Sequence, residues 1–294
     1  MIVALGDLML DLVVQTPCSA PRGGHCSVQA RISPGGSAAN FAVWAARLGA
    51  EAALIAKVGD DVLGHALLDD LRREGVLSAV AVGHEATGFT LATVAPDGQR
   101  TMLAARGATA TLSPADLDWT LLDRADWLHV TAYAFLEEAP RAAAQAAMQY
   151  VKKRGRPVSL DPASSSYLQG IGPEAFFALA EGADILFPNW DEGRALTGEE
   201  EPERIVRQLV KRFPLVALKL GSTGAIAATE ERLVHEPSLA EQVVDTVGAG
   251  DAFAAAFVVT WMVRHDLAAA LHEANRLAAS VVQGGSARAA PRVS

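Results

Sequence analysis

The residues best placed for chemistry stand in one run, Asp245-Thr246-Val247-Gly248-Ala249-Gly250-Asp251, continued by AFAAAFVVTWMV. Two glycines let the backbone turn tightly and approach a ligand with no Cβ in the way. The apolar run behind them predicts a helix of about 13 residues, whose first amides lack intrahelical partners and carry partial positive charge. Such a helix start suits a phosphate group. Asp251 falls in its first turn, where a carboxylate can take the proton of an attacking hydroxyl. An Asp capping an ordinary Gly-rich turn would leave the same four letters, G-x-G-D. The longer string with its helix is the more specific signal.

A second run, Pro34-Gly35-Gly36-Ser37-Ala38-Ala39-Asn40, leads into FAVWAARLG. Again a glycine pair precedes a helix, which Gly49 closes. Loop amides and the Asn40 amide, pointing back toward the glycines, would receive a polyhydroxylated ligand. The other reading is a strand-to-helix turn with Asn40 solvated. Asp11 follows the first strand in Gly6-Asp7-Leu8-Met9-Leu10-Asp11. Strand ends of a parallel sheet face the ligand crevice, so Asp11 either accepts two sugar hydroxyls or is a solvated loop acid.

Positioning these groups takes a sheet. Short apolar runs recur at Ile2–Leu5, Ala52–Val58, Trp127–Val130, Pro157–Leu160, Ile185–Phe187 and Leu215–Leu220. Helix-spaced segments lie between many of them, at Ala38–Leu48, Leu63–Glu74, Pro140–Arg154, Pro202–Phe213 and Leu267–Val282. Buried strands alternating with helices read as a doubly wound, mostly parallel α/β sheet flanked by helices. Two β-rich stretches break the rhythm, and Pro96-Asp97-Gly98 in the second signals a hairpin. They are expected to form a small β-sheet lid, over about residues 12–34 and 86–106, on a single domain spanning 1–294. The tail after Gly284 is expected to fray.

Composition narrows the class. Half of the 294 residues are hydrophobic, ample for a core. The 25 basic against 34 acidic residues give a net charge of −9, which argues against binding nucleic acid or an anionic membrane. The longest apolar stretch, Ala252 to Val263, is about 12 residues, short of the ~20 that span a bilayer. The start, MIVALGD, has no basic n-region. Cys18 and Cys26 imply no disulfide framework and, lacking histidines at ligand spacing, no metal site. A cytoplasmic location is expected. His129, in an apolar strand, reads as a core residue. Trp44 packs or borders the ligand pocket. Arg72-Arg73 and Lys152-Lys153-Arg154 read as solvated helix faces.

GGSAANFAVWAARLG near one end and DTVGAGDAFAAAF near the other, in that order, resemble the two signatures of the ribokinase-like (PfkB) carbohydrate kinase family. Phe187-Pro188-Asn189-Trp190-Asp191-Glu192 resembles its P-N-x-x-E segment, and Lys219-Leu220-Gly221-Ser222-Thr223-Gly224 its nucleotide segment. The resemblance covers essentially the whole chain. It implies an ATP-dependent, Mg²⁺-requiring kinase acting on a hydroxyl of a small sugar or sugar acid. Asp251 would be the catalytic base, and the backbone of Gly248, Ala249 and Gly250 leading into it the anion hole. Asp11, Gly35, Gly36 and Asn40 would contact the sugar. Asn189 and Glu192 would organise Mg²⁺ largely through water, and Lys219, Gly221 and Gly224 would flank the nucleotide. Arg106, just after the lid hairpin, would meet the carboxylate of a sugar acid or be a surface residue at the lid hinge. Asp161, ending a strand on the crevice, would orient sugar or phosphate, or cap its loop. A homodimer through the lid is implied as well.

Two departures stand out. Asp245 and Thr246 match the first half of a K⁺ loop, but the second half, around Gly285, lacks the usual threonine-arginine pair, which leaves K⁺ open. Met9 replaces the asparagine of a ribokinase-type opening, which weakens ribose as the substrate. Phosphoryl transfer asks mainly for positioning and charge stabilisation, and no Walker lysine motif is present to supply them. Two other functions fit the same motifs. One is a nucleoside kinase, with Trp44 or Phe89 forming the base pocket. The other is a non-catalytic sensor of sugar or nucleotide.

Overall fold

Strand β1 (Ile2–Leu5) shows how the chain builds its centre. Ile2 and Ala4 enter one core and Val3 and Leu5 another, all buried. A strand covered on both faces must be apolar throughout. The computed structural model describes residues 1–15, 25, 27–94, 100–240, 245–284 and 287–288. The turn at Pro96-Asp97-Gly98, both cysteines and Gly285 lie outside them.

After β1 come β2 (Met9–Gln15), β3 (Gln29–Gly35), α1 (Ser37–Arg47), β4 (Ala52–Gly59), α2 (Val62–Arg73) and β5 (Leu77–Gly83). Strands β6 (Phe89–Val94) and β7 (Arg100–Ala105) follow, then α3 (Trp119–Asp123), β8 (Trp127–Thr131), α4 (Glu138–Lys152) and β9 (Val158–Asp161). The next elements are α5 (Ser165–Ile171), α6 (Pro173–Leu179), β10 (Ile185–Leu186), α7 (Trp190–Thr197) and α8 (Pro202–Leu209). The chain ends with β11 (Leu215–Lys219), β12 (Ala225–Ala228), β13 (Leu233–Glu236), α9 (Ala249–Arg264) and α10 (Leu267–Gly284).

Nine strands make one sheet in the order β13-β12-β11-β10-β9-β8-β1-β4-β5. Pairing is parallel from β11 to β5; β12 and β13 close the sheet antiparallel, an addition the strand reading did not contain. One core packs α1, α2, α9 and α10 on one face, and the other packs α3 to α8 on the opposite face. The doubly wound expectation therefore holds. Helix α8 stops at Leu209, short of the expected Phe213. Its exit tightens into Lys211 N–H to Gln208 and Arg212 N–H to Leu209 bonds ahead of Pro214, where a helix cannot continue.

The chain leaves β1 toward β4 on one side and β8 on the other. That reversal puts a crevice at the carboxyl ends of the strands. Asp7 follows β1, Asp161 ends β9, Asn189 follows β10 and Lys219 ends β11. A second sheet, β3-β2-β6-β7, holds most of the described residues from the two expected lid stretches. Its register makes it two-faced. Ser33, Asp11, Thr90 and Ala104 align on one side, and Ile32, Leu12, Leu91 and Leu103 on the other.

Candidate active site

Helix α9 begins where the glycine run predicts. Gly248 is its N-cap, at φ 76°, and no side chain caps it. A Cβ on Gly248 would lie 2.4 Å from the Ala287 Cβ, so glycine is required by conformation and by contact. Ala249 turns its amide back to the Thr246 carbonyl at 3.3 Å. Its share in the expected anion hole is thereby reduced, because that N–H already has an acceptor. The following amides, of Gly250 and Asp251, remain those of an uncapped helix start.

Asp251 sits in the first turn, partly open to the crevice. Its Oδ1 accepts from Ser37 Oγ at 2.7 Å and its Oδ2 from Asn40 Nδ2 at 2.9 Å. It is therefore not a helix cap but a carboxylate held from the neighbouring helix. Burial pushes its pKa up to about 7, against the two donors that lower it, with Asp161 and Asp7 adding to the rise. An acid poised there can exchange a proton near neutral pH.

The start of α1 differs from expectation. Ala38 N–H donates to Asp7 Oδ1 at 3.1 Å and Ala39 N–H to the Asp7 carbonyl at 3.3 Å, so these first helix amides are occupied. The Asn40 amide is committed at both ends. Its Nδ2 reaches Asp251, and its Oδ1 accepts from Arg288 Nε at 2.9 Å. Both glycines have a reason that needs no ligand. A Cβ on Gly35 would fall 2.1 Å from Asp11 Oδ2, and one on Gly36, at φ 97°, 2.5 Å from the Asp7 carbonyl. Asp11 thus lies directly against Gly35. Burial and nearby Asp7 lift its pKa to about 6, and Arg288 opposes them.

Across the crevice, Lys219 Nζ bonds Asp161 Oδ2 at 2.7 Å, both side chains largely buried. Asp161, Glu192 and Asp251 hold the ammonium protonated despite its burial. A Cβ on Gly250 would lie 3.3 Å from that same Nζ, so the lysine stands at the mouth of the α9 turn. Asn189 and Glu192 form a reciprocal capping box on α7, with Asn189 Nδ2 and backbone N–H on the two Glu192 oxygens at 2.7 and 2.8 Å. Glu192 is 3% exposed. Burial, then Asp161, raises its pKa to about 7. Burial pushes the Tyr133 hydroxyl pKa well up, and Asp7, Asp161, Asp251 and Glu192, within electrostatic reach, add to the rise.

A cavity of about 390 Å³ opens beside this turn. Asn189, Lys219, Gly221, Gly224, Ala249 and Gly250 line one end, and Phe253, Ala278 and Val282 give it an apolar wall. Gly224, at φ 103°, lets the chain pass where a Cβ would be 2.0 Å from the Glu236 carbonyl.

The fold therefore gathers Asp11, Gly35, Gly36, Asn40, Asp161, Asn189, Glu192, Lys219, Gly221, Gly224 and the 248–251 turn along one crevice. Arg106 bends to the Tyr133 carbonyl, Nη2 to O 2.9 Å, and its buried Nε has no acceptor among the described residues. Asp245 is already supplied: Arg31 donates to its Oδ2 at 3.0 Å and Val247 N–H to its Oδ1 at 3.0 Å. Trp44 does not border the crevice. It is fully buried, its Nε1–H on the Ala287 carbonyl at 2.9 Å. Phe89 pairs with Leu10 on the side of the second sheet away from Asp11 and Thr90. His129 is a core residue, stacked on Phe41 and bonded to Ser159. Burial drives its pKa down to about 3. Sequence reasoning missed Ser37, Asp7, Tyr133, Arg31 and Arg288. Ser37 and Asp7 stand inside the quoted motifs; the others had no local signal. Arg288 sits in a tail expected to fray, yet Ala287 and Arg288 are bonded to α1.

Comparison with known proteins gives the family. The chain matches the pfkB family carbohydrate kinase over residues 1–292. It is 33% identical over 295 residues to the ATP-dependent ribose-1-phosphate kinase of Halopiger xanaduensis, covering 99% of this chain and 94% of that protein. Among solved structures, adenosine kinase from Sinorhizobium meliloti superposes with a TM-score of 0.88 at 26% identity, covering 100% of this chain and 96% of the other. Arabidopsis thaliana ribokinase, solved with ribose and ATP, gives 0.84 at 27% identity, covering 99% and 95%. With a match along nearly its whole length, a relative of one-third identity and the same two-sheet fold, the chain belongs to the pfkB family of carbohydrate kinases, as a sugar or nucleoside kinase.

Proposed function

We propose that this protein transfers the γ-phosphoryl group of ATP to a hydroxyl of a small sugar or sugar acid. One observation carries the reading. Asp251 is held by Ser37 and Asn40 where the uncapped start of α9 meets the sugar-side residues, and the nucleotide-sized cavity opens against Ala249 and Gly250. In this reading the acceptor lies between Asp11, Asn40 and Asp251. Asp251 takes its proton as the oxygen attacks the γ-phosphorus in line. The Gly250 and Asp251 amides and the Lys219 ammonium match charge on the phosphoryl oxygens.

Mg²⁺ fits the residues present. Beyond burial, Asp161 raises the pKa of both Glu192 and Asp251, Asp7 adds to the rise at Asp251, and Lys219 is the cation set among these carboxylates. A site so rich in carboxylate suits a nucleotide that arrives with its divalent ion. Because Asn189 occupies both Glu192 oxygens, Glu192 would hold that ion through water. When bound, Mg²⁺ neutralises charge on the phosphate oxygens. K⁺ is not part of the reading, since Arg31 and the Val247 amide already serve Asp245.

The second sheet supports a lid role, with its Asp11 side over the crevice and Arg31 tying it to Asp245. Excluding water protects the phosphoryl group from hydrolysis. Its opposite side carries the row Ile32, Leu12, Leu91 and Leu103, with Ile32 64% and Leu103 57% exposed. A second copy of the chain would cover this row in a homodimer. Sedimentation of Ile32→Lys with Leu103→Lys is expected to give a monomer; a wild-type protein that is itself monomeric excludes the dimer.

A small sugar is favoured over a nucleoside because neither Trp44 nor Phe89 faces the acceptor site. The test is coupled ADP release across ribose, ribose 1-phosphate, fructose, 2-keto-3-deoxygluconate, inositol, tagatose phosphates and nucleosides. Release with a sugar and none with nucleosides supports the reading. Faster release with acidic sugars would assign Arg106 to the carboxylate. Ligand-induced stabilisation with no ADP from any acceptor would mean a sensor.

A further inference from the structure

Arg288 stands behind the wall that carries Asn40, reaching α1 and α2 from the far end of the chain. Its side chain is 9% exposed. Nε donates to Asn40 Oδ1 at 2.9 Å, and Nη1 pairs with Asp70 on α2. Its carbonyl accepts from Arg47 Nη1 at 2.8 Å. The remaining nitrogen, Nη2, is buried with no acceptor among the described residues. A guanidinium serving only an ion pair would present two nitrogens to one carboxylate. This one leaves a donor unmade, a costly arrangement, while its Nε faces a neutral amide.

That contact settles a choice Asn40 cannot make alone. An amide can offer either its oxygen or its NH₂ to a neighbour. Facing the Asp251 carboxylate, the oxygen would repel and the NH₂ attracts. With Arg288 N–H fixed on Oδ1, only Nδ2 is left for Asp251 Oδ2. We propose that Arg288 is a positioning residue for the catalytic acid: it locks the Asn40 amide so that its NH₂ is held on Asp251. This rests on the reading of Asp251 as the base. It adds to that reading a part of the chain outside both signature motifs. The adjoining Ala287 completes the brace, since it packs against Gly248, where a Cβ would be 2.4 Å away. One two-residue segment thus touches both helix starts of the crevice.

The charged neighbours of each group are known. Asp251 faces Asp7 after β1, Asp161 at the end of β9 and Lys219 at the end of β11. Arg288 faces Asp70 and Glu74 around α2, Arg47 on α1 and Asp11 on β2.

The chain has three asparagines, Asn40, Asn189 and Asn275, which makes the test direct. Full-length protein labelled with ¹⁵N only in asparagine shows three side-chain NH₂ pairs, and Asn40→Ala identifies the first. In wild type the Asn40 pair shifts between pH 5 and 9 (roughly two pH units either side of the Asp251 titration), and Asp251→Ala abolishes that shift. In Arg288→Lys, which keeps the charge opposite Asp70 but lacks the fork, the Asn40 pair is expected to lose its response. The Asn189 and Asn275 pairs should stay at their wild-type positions. An Asn40 response of wild-type size in Arg288→Lys overturns the proposal. If Asn189 and Asn275 also collapse, the variant has unfolded and Arg288→Gln is read by the same criterion. Failure of the base assignment would show elsewhere, as undiminished ADP release by Asp251→Ala.

Discussion

The crevice is built from two helix starts of similar sequence, and they behave differently. Both α1 and α9 follow a glycine at positive φ, Gly36 at 97° and Gly248 at 76°. The start of α1 is filled: Asp7 takes the Ala38 and Ala39 amides. Among the described residues, no side chain accepts from the Gly250 or Asp251 amide at the start of α9. The Asp7 carboxylate occupies the position at the Ala38 amide; in the function proposed above, the start of α9 receives its anion from outside. The filled start also lends its side chains, Ser37 and Asn40, to the acid of the open one. A Gly-rich turn before a helix is therefore only half of a phosphate site. What decides its use is whether the protein has already supplied the negative charge.

The sharpest way to break this comparison is to remove the acid. Asp251→Ala should lower kcat by about 10²–10⁴-fold, as for loss of a general base, with the KM for ATP nearly unchanged in the ADP-release assay. Turnover near wild type would leave the open helix start without its chemical partner. Next come paired substitutions of the two N-cap glycines. Gly248→Ala and Gly36→Ala each place a side chain at unfavourable φ and against a neighbour, costing about 1–3 kcal/mol in denaturant titration. Only Gly248→Ala should also cut kcat in the folded protein, by about tenfold, one lost transition-state contact of about 1.4 kcal/mol. Equal kcat losses would mean that the start of α9 contributes no more to the reaction than the start of α1 does by holding Ser37 and Asn40 on Asp251.

The pH dependence sharpens the contrast. With Asp251 near pKa 7, kcat should fall about tenfold per unit below pH 7. Stability runs the other way. A buried acid with a raised pKa keeps its proton in the fold while the unfolded chain has lost it. Its contribution is therefore fullest below about pH 4 and is lost as pH rises through 7. Asp251→Asn should accordingly raise the thermal midpoint more at pH 8 than at pH 5 while remaining inactive. The smallest effect belongs to the filled start. Asp7→Asn keeps an acceptor for Ala38 and removes a charge, costing about 0.5 kcal/mol. Since Asp7 helps to raise the Asp251 pKa, the acid limb of kcat should move to lower pH.

Much of the fold was legible because its signals are local. Buried strands and Ala-rich helices announce themselves by period, and β1, β4, β8, β9 and β11 fall within a residue or two of expectation. The antiparallel pair β12 and β13 was not legible, since short apolar runs carry no mark of direction. Of the site, Asp251 and Lys219 were readable from motifs. The roles of Asp7 and Asn40 were not, because each depends on a partner from another element. The Asn189–Glu192 capping box was readable in principle, from N-x-x-E ahead of a helix.

Sequence alone determined that two flexible turns would open two helices, that an acid would follow one of them, and that a parallel sheet would lie between. These depend on residues near one another in the chain, where φ preferences and hydrophobic period act directly. Only the tertiary structure decided which helix start is occupied, which way Asn40 faces, and that Arg288, 248 positions away, stands behind it. Those outcomes depend on charges and hydrogen-bond donors brought together across the fold. Their energies exist only once water has been excluded and the partners are fixed in place.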